Sequence, residues 1–219
     1  MTRKAPEVAP SERAESHRPS AVVFDLGNVL IRWDPHPALA AGLGAEEASR
    51  FLAAEDFDFM AWNHRQDGGR PWPEAEDEVA RTHPHWHRHA LAYRAHFDHS
   101  LLGALEDNVA VLRDLHAARV PLFALTNWSA ELFPRARERF EFLDLFDDIV
   151  VSGEERLAKP DPEIFAVLRR RIGRPLQNCL FVDDSPANVA AAAAAGMPGV
   201  VFTGDRPLRP KLRGRGLPV

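Results

Sequence analysis

Four short stretches of this chain carry side chains that can act together on an anionic substrate. Asp25 in FDLGNVL is a carboxylate able to attack an electrophile, and Thr126 in LFALTN can donate a hydroxyl hydrogen bond to an anion. Lys159 in KPDPEIF supplies a positive charge. Asp183 and Asp184 in FVDDSPANV are paired oxygen ligands of the kind a hard cation such as Mg²⁺ prefers. Singly, each stretch has an ordinary structural account. Gly27 marks a turn after a strand, Thr126 and Asn127 suit turn chemistry, and Lys159 precedes a helix; Ser185 and Pro186 open another as N-cap and first residue. Together, in order and each behind an apolar run, they describe one anion-handling centre.

The runs behind them are AVVFDL, VPLFALTN, DDIVVSG, NCLFVDD and GVVFTGD, short and continuously apolar as in strands buried on both faces of a parallel sheet. Helical patterns alternate with them. EDNVAVLRDLHAARV places Val109, Leu112 and Leu115 on one face; DPEIFAVLRRRIG opens on Asp161 as N-cap; SPANVAAAAAAG ends at Gly196. This alternation predicts an α/β fold with a doubly wound parallel sheet. In such a sheet ligands bind beyond the carboxyl ends of the strands, where all four stretches fall. Residues 34–100 break the rhythm with helix-compatible ALAAGLGAEEASRFLAA and HALAYRAHF but no comparable strand. The predicted organisation is a tail at 1–19, a core of 20–33 with 101–206, a helical insert at 34–100 and a frayed, basic end at 207–219.

Over 219 residues, a formal net charge of -5 and a hydrophobic content of 45% fit a globular protein and give no basic footprint for nucleic acid or an anionic membrane. No stretch has the apolar length of a membrane span, and the polar first residues lack a signal-peptide core. The single cysteine, Cys179, excludes an internal disulfide and suits a buried packing position. A small-molecule partner, a cytoplasmic location and a monomer or homodimer are expected.

As a set, FDLGNVL, LFALTN, KPDPEIF and FVDDSPANV resemble the four ordered motifs of the haloacid dehalogenase superfamily, in the subgroup with a helical cap after the first motif. The DLGN motif is similar to the branch containing α-D-glucose-1-phosphate phosphatase and dehalogenase-like hydrolases. The resemblance implies a Mg²⁺-dependent phosphatase working through an aspartyl-phosphate, on a small phosphorylated metabolite such as a sugar phosphate. Asp25 would be the nucleophile, and Lys159 would offset charge on it and on the phosphate. Thr126, the Asn127 backbone, Trp128 and Asn28 would contact substrate. Mg²⁺ would be held by Asp25, the Gly27 carbonyl, Asp184 and Asp183, the last in the inner or second shell.

Gly27 departs from that pattern, because most phosphatases of the superfamily carry an acid/base aspartate there, and such help is worth about 10² to 10⁴ in rate. Three solutions remain open: a leaving group that needs little protonation, a donor from the cap, or binding without catalysis. WNHRQDGGR offers His64 and Asp67 as cap donors, with a glycine pair that can bring the loop close, but an exposed helix end with a Gly-rich turn is the expectation there. THPHWHRH carries histidines from His83 to His89; His85 and His89 have chelating spacing on a helix but no third ligand, so a solvated cap surface is the expectation. A metal-free 2-haloacid dehalogenase using the same aspartate is the competing enzyme class.

Overall fold

The computed structural model describes residues 18–219, so the expected tail lies almost wholly outside the described residues. Five strands, β1 (Ala21–Phe24), β4 (Leu122–Thr126), β5 (Asp148–Val151), β6 (Cys179–Asp183) and β7 (Gly199–Val201), form a parallel sheet in the order β5-β4-β1-β6-β7. Side chains alternate between its two faces. Val22 and Phe24 join one buried cluster and Ala21 and Val23 the other, which is why β1 has no polar position. The chain runs outward from β1 to β4 and β5, then crosses back to β6, so the sheet reverses direction at β1. Phe24 pairs with both Ala124 and Val182, which sets the next residues, Asp25 and Asp183, at the same level.

Helices cover both faces. The one before β4, α6 (Glu106–Ala117), buries Val109, Leu112 and Leu115. α9 (Pro162–Ile172) opens with the Asp161 side chain accepting from the Glu163 N–H, and α10 (Pro186–Ala194) with Ser185 accepting from Asn188 N–H. The short α7 (Phe133–Arg139) and α8 (Ser152–Glu155) complete the layers.

Between β1 and β4 the chain leaves and re-enters the core through an antiparallel pair, β2 (Ile31–Trp33) and β3 (Leu101–Ala104). Five helices lie between them: α1 (Pro35–Leu43), α2 (Ala45–Leu52), α3 (Phe59–Asp67), α4 (Trp72–Thr82) and α5 (His87–Ala95). The stretch ALAAGLGAEEASRFLAA is two helices rather than one, because Gly44 takes a left-handed φ of 89° between them. An aromatic cluster holds this layer together. Phe59 meets Tyr93 edge-on at 5.0 Å and Trp62 meets Trp72 at 5.4 Å.

Two expectations are corrected. Residues 207–219 are not frayed: α11 (Leu208–Arg213) buries Leu208 and Leu212, and Leu217 folds back beside them, so three leucines spaced among the basic residues anchor the end. The histidine run is not a uniformly solvated surface. His89 is fully buried against Phe51 and Trp86, with Nε2 3.2 Å from Glu47, while His85 pairs with Asp56 at 2.8 Å. A 3-10 turn over Pro84–Trp86 breaks the helical spacing that would have set His85 and His89 on one face.

Candidate active site

The floor of the site is the carboxyl edge of β1, β4 and β6. Asp25 leaves β1 with its N–H donating to Val182 O at 2.8 Å, and the Lys159 ammonium lies 2.9 Å from Asp25 Oδ1 and 2.7 Å from Asp183 Oδ2. Lys159 also donates to Leu125 O at 2.8 Å and is 1% exposed, so all three of its hydrogens have partners in the protein. Its backbone is fixed too: Asn127 donates Nδ2 to Lys159 O and accepts from Lys159 N–H with Oδ1, both at 2.8 Å. The Asn127 side chain therefore orients the lysine, which leaves its backbone for a ligand.

The acidic pair divides in two. Asp183 is fully buried, and Lys159, the Ser185 N–H and Asn188 Nδ2 fill its oxygens at 2.7, 2.8 and 3.1 Å. Asp184 faces the cavity. Oxygens of Asp25, Asp183 and Asp184 all lie within 4.8 Å of one another, an all-oxygen set suited to a hard divalent cation. Crowding supports the same fit. Burial pushes Asp25 up to about 7 although Lys159 pulls it down, and Asp183 and Asp184 add to the rise. Asp184 is likewise raised, first by burial and then by Asp183. Burial alone would depress the Lys159 ammonium, but Asp25 and Asp183 outweigh it and hold it above its ordinary value. Three carboxylates against one ammonium are an excess of negative charge that a divalent cation relieves.

Above this floor is a cavity of about 240 Å³. Asp25, Gly27, Asn28, Lys159, Asp184 and Asn188 form its polar end, whereas Trp33, Met60, Trp72, Tyr93, Phe97, Trp128 and Leu132 form apolar walls. The helical insert is latched to the core around it. Trp72 Nε1 donates to Ser129 Oγ at 2.9 Å, the Trp72 N–H to Glu131 Oε1 at 3.0 Å, and Ser152 Oγ to the Asp67 carbonyl at 2.5 Å. At the last contact the two segments approach closely: a Cβ built on Gly69, at φ +92°, would lie 2.9 Å from Arg156 Cγ and 3.0 Å from Gly153 O.

Of the residues singled out from sequence, Asp25, Gly27, Asn28, Asn127, Trp128, Lys159 and Asp184 line the cavity; Thr126 and Asp183 are buried outside its lining. His64 and Asp67 line it as well. Sequence reasoning missed Trp33, Trp72, Tyr93, Phe97 and Asn188. The first four carry no local mark that separates a cavity wall from core, and only Asn188 had a usable signal, one helical turn beyond Asp183–Asp184.

Asp67, at the end of α3, is pushed up to about 7 by burial; a hydrogen bond from the Ser129 backbone pulls it down, and the Asp25 charge raises it further. Between its ordinary value of 3.8 and about 7 the folded protein holds a proton that the unfolded chain releases, so this group lowers stability as pH rises through that window. Asn at this position cannot ionise. Asp67→Asn should therefore raise Tm by a few degrees above pH ~7.5, the gap closing toward pH ~4, as thermal melts across pH will show. The other acidic and basic groups around the cavity, Asp25, Lys159 and Asp184, are the same in both proteins.

The family model for haloacid dehalogenase-like hydrolase matches residues 19–196. Over 194 residues the chain is 37% identical to sesquiterpene phosphatase astK of Aspergillus oryzae, covering 84% of this chain and 89% of that protein. It is 31% identical over 192 residues to phosphoglycolate phosphatase of Cereibacter sphaeroides, with 83% and 84% covered. In fold it matches an enzyme of this family from Bacteroides thetaiotaomicron, solved with magnesium, at a TM-score of 0.68 and 20% identity over 88% of this chain and 98% of that one. By the span of the family match and the identity to its full-length relatives, the chain belongs to the haloacid dehalogenase-like hydrolases.

Proposed function

We propose that the chain is a Mg²⁺-dependent phosphatase that transfers the phosphoryl group of a small monoester to Asp25 and then to water. The observation that carries the reading is the buried Asp25–Lys159–Asp183 cluster with Asp184 beside it, at the floor of a cavity. Asp25 attacks phosphorus, and the bond to the ester oxygen breaks on the opposite side. Lys159 steadies the charge on Asp25, and the Asn127 backbone faces the phosphate oxygens. Asp25, the Gly27 carbonyl and Asp184 would hold Mg²⁺, with Asp183 behind them, and the ion would supply neutralisation of the phosphate charge. A metal-free haloacid dehalogenase has no use for the Asp183–Asp184 pair.

For the organic part of the substrate the apolar walls favour a hydrocarbon over the sugar that the family resemblance suggests. A sugar needs hydrogen-bond partners for several hydroxyls, and away from the carboxylate floor most of the lining is indole, phenyl and aliphatic surface, with Asn63, His64, Asp67 and Ser129 the polar exceptions. The similarity to a sesquiterpene phosphatase supports the same class, an isoprenoid or comparable apolar alcohol phosphate.

The test is a panel of prenyl, linear alkyl and sugar phosphates with and without Mg²⁺. A buried methylene contributes about 0.8 kcal/mol, so kcat/KM should rise about tenfold for every two carbons added until the cavity is full, with sugar phosphates well below. Asp183→Ala/Asp184→Ala should abolish both the Mg²⁺-dependent turnover and the thermal shift Mg²⁺ produces. Turnover that ignores Mg²⁺, or confined to 2-haloacids, would overturn the reading.

A further inference from the structure

We infer that Asp67, carried on the helical insert, is the acid and base that the core lacks at Gly27. The inference rests on the phosphatase reading and concerns who protonates the leaving oxygen. Four observations converge on it. Gly27 lines the cavity, its backbone lies outside the left-handed region, and a Cβ built there would meet nothing within 4 Å. The position usual for the acid is therefore vacant space, not strained backbone. Asp67 lines the same cavity, and its charge and that of Asp25 interact. No Lys or Arg pairs with its carboxyl among the described residues. Its side-chain partners are neutral donors, Asn63 Nδ2 at 3.3 Å and the Ser129 backbone, so no cation offsets the burial that favours its protonated form. Its backbone is tied to the core through Ser152 Oγ at 2.5 Å, with the Gly68–Gly69 turn seated on Gly153, so the end of α3 that carries the carboxyl is fixed beside the cavity.

The steps balance. As Asp25 Oδ bonds to phosphorus and the P–O bond to the organic group breaks, the Asp67 proton moves to the departing oxygen and the alcohol leaves neutral. Asp67, now a carboxylate, takes a proton from the water that attacks the aspartyl-phosphate. The P–O bond to Asp25 breaks, inorganic phosphate forms, and Asp67 is protonated again. His64, the other donor candidate, is exposed on the same helix and lacks this tether. An acid on the insert also ties chemistry to closure, since the donor is in place only when the insert is seated.

Two esters separate the roles: p-nitrophenyl phosphate, whose phenol leaves unprotonated, and hexyl phosphate, whose alcohol does not. The quantity to compare is kcat/KM, which reports phosphoryl transfer to Asp25 and not the later hydrolysis. Asp67→Asn should lower kcat/KM for hexyl phosphate by about 10² or more, yet leave that for p-nitrophenyl phosphate within about fivefold. Adding Gly27→Asp to that variant should restore at least about tenfold on hexyl phosphate by returning an acid to the vacant space. In the unmodified protein, kcat/KM across size-matched esters should depend only weakly on leaving-group acidity; this arm needs no variant. Equal losses on both esters, no loss on hexyl phosphate, or a steep dependence in the unmodified protein would overturn the inference while leaving the phosphatase reading intact. Absence of Mg²⁺-dependent turnover on both esters by the unmodified protein would instead overturn that reading, and the inference with it.

Discussion

Asp25→Asn should reduce phosphate release from any ester by about 10⁴-fold or more, because a carboxamide cannot form the covalent intermediate and no second carboxylate can take its place. Asp184 faces the same cavity but belongs to the proposed cation site, and Asp183 is buried with its oxygens filled. The fold should survive. Asn fits the same volume, Lys159 keeps its 2.7 Å contact to Asp183, and the substitution removes a carboxyl that burial holds up to about 7. Circular dichroism should match the unmodified protein, and Tm above neutral pH should be equal or higher. A folded variant retaining a tenth of the original turnover would exclude Asp25 as the nucleophile.

Lys159→Met should have the largest effect on stability. Met fills a similar volume but leaves Asp25 and Asp183 facing each other without the buried ammonium that now lies within 2.9 Å of each. Removing one partner from a buried ion cluster costs about 3 to 5 kcal/mol, a fall in Tm on the order of 10 °C for a chain of this size. The pH dependence has a definite sign. Lys159 lowers the Asp25 pKa, so its removal raises a value already about 7 further. The folded variant then holds a proton over a wider window than the unfolded chain, and the deficit should be greatest above neutral pH and shrink on acidification toward pH ~5. Thermal melts across pH measure this directly. A deficit that does not vary with pH would mean that Lys159 contributes packing rather than charge.

Much of the core was legible because its signals are local. A strand buried on both faces must be apolar at every position, and AVVF, LFALT and CLFVD are recognisable on that ground alone. A helix opening needs a side-chain acceptor and tolerates proline in its first turn, which places Asp161–Pro162 and Ser185–Pro186 without reference to anything distant. The functional side chains were legible for a related reason. Parallel strands deliver whatever follows them to one edge of the sheet, so order along the chain was enough to gather Asp25, Lys159 and the acidic pair. The C-terminal segment misled because its three burying leucines are separated by basic and helix-breaking residues, and α6, the surface near them, lies about a hundred positions earlier.

By itself, then, the sequence determined the sheet, the strand-end chemistry and the absence of an acid at Gly27, each fixed by residue type within a few positions. Tertiary structure alone decided the rest. That Asn127 serves Lys159 with its side chain, that Asp183 is saturated while Asp184 faces the cavity, and that Trp72, Tyr93 and Phe97 are walls rather than mere core depend on contacts between residues tens of positions apart. Asp67 is the sharpest case. From sequence it is one acidic residue at a helix end; its desolvation and its approach to Asp25 exist only once the Gly68–Gly69 turn has docked on Gly153 and Ser152. Burial and the distance between charges are properties of the assembled fold, and no local pattern encodes them.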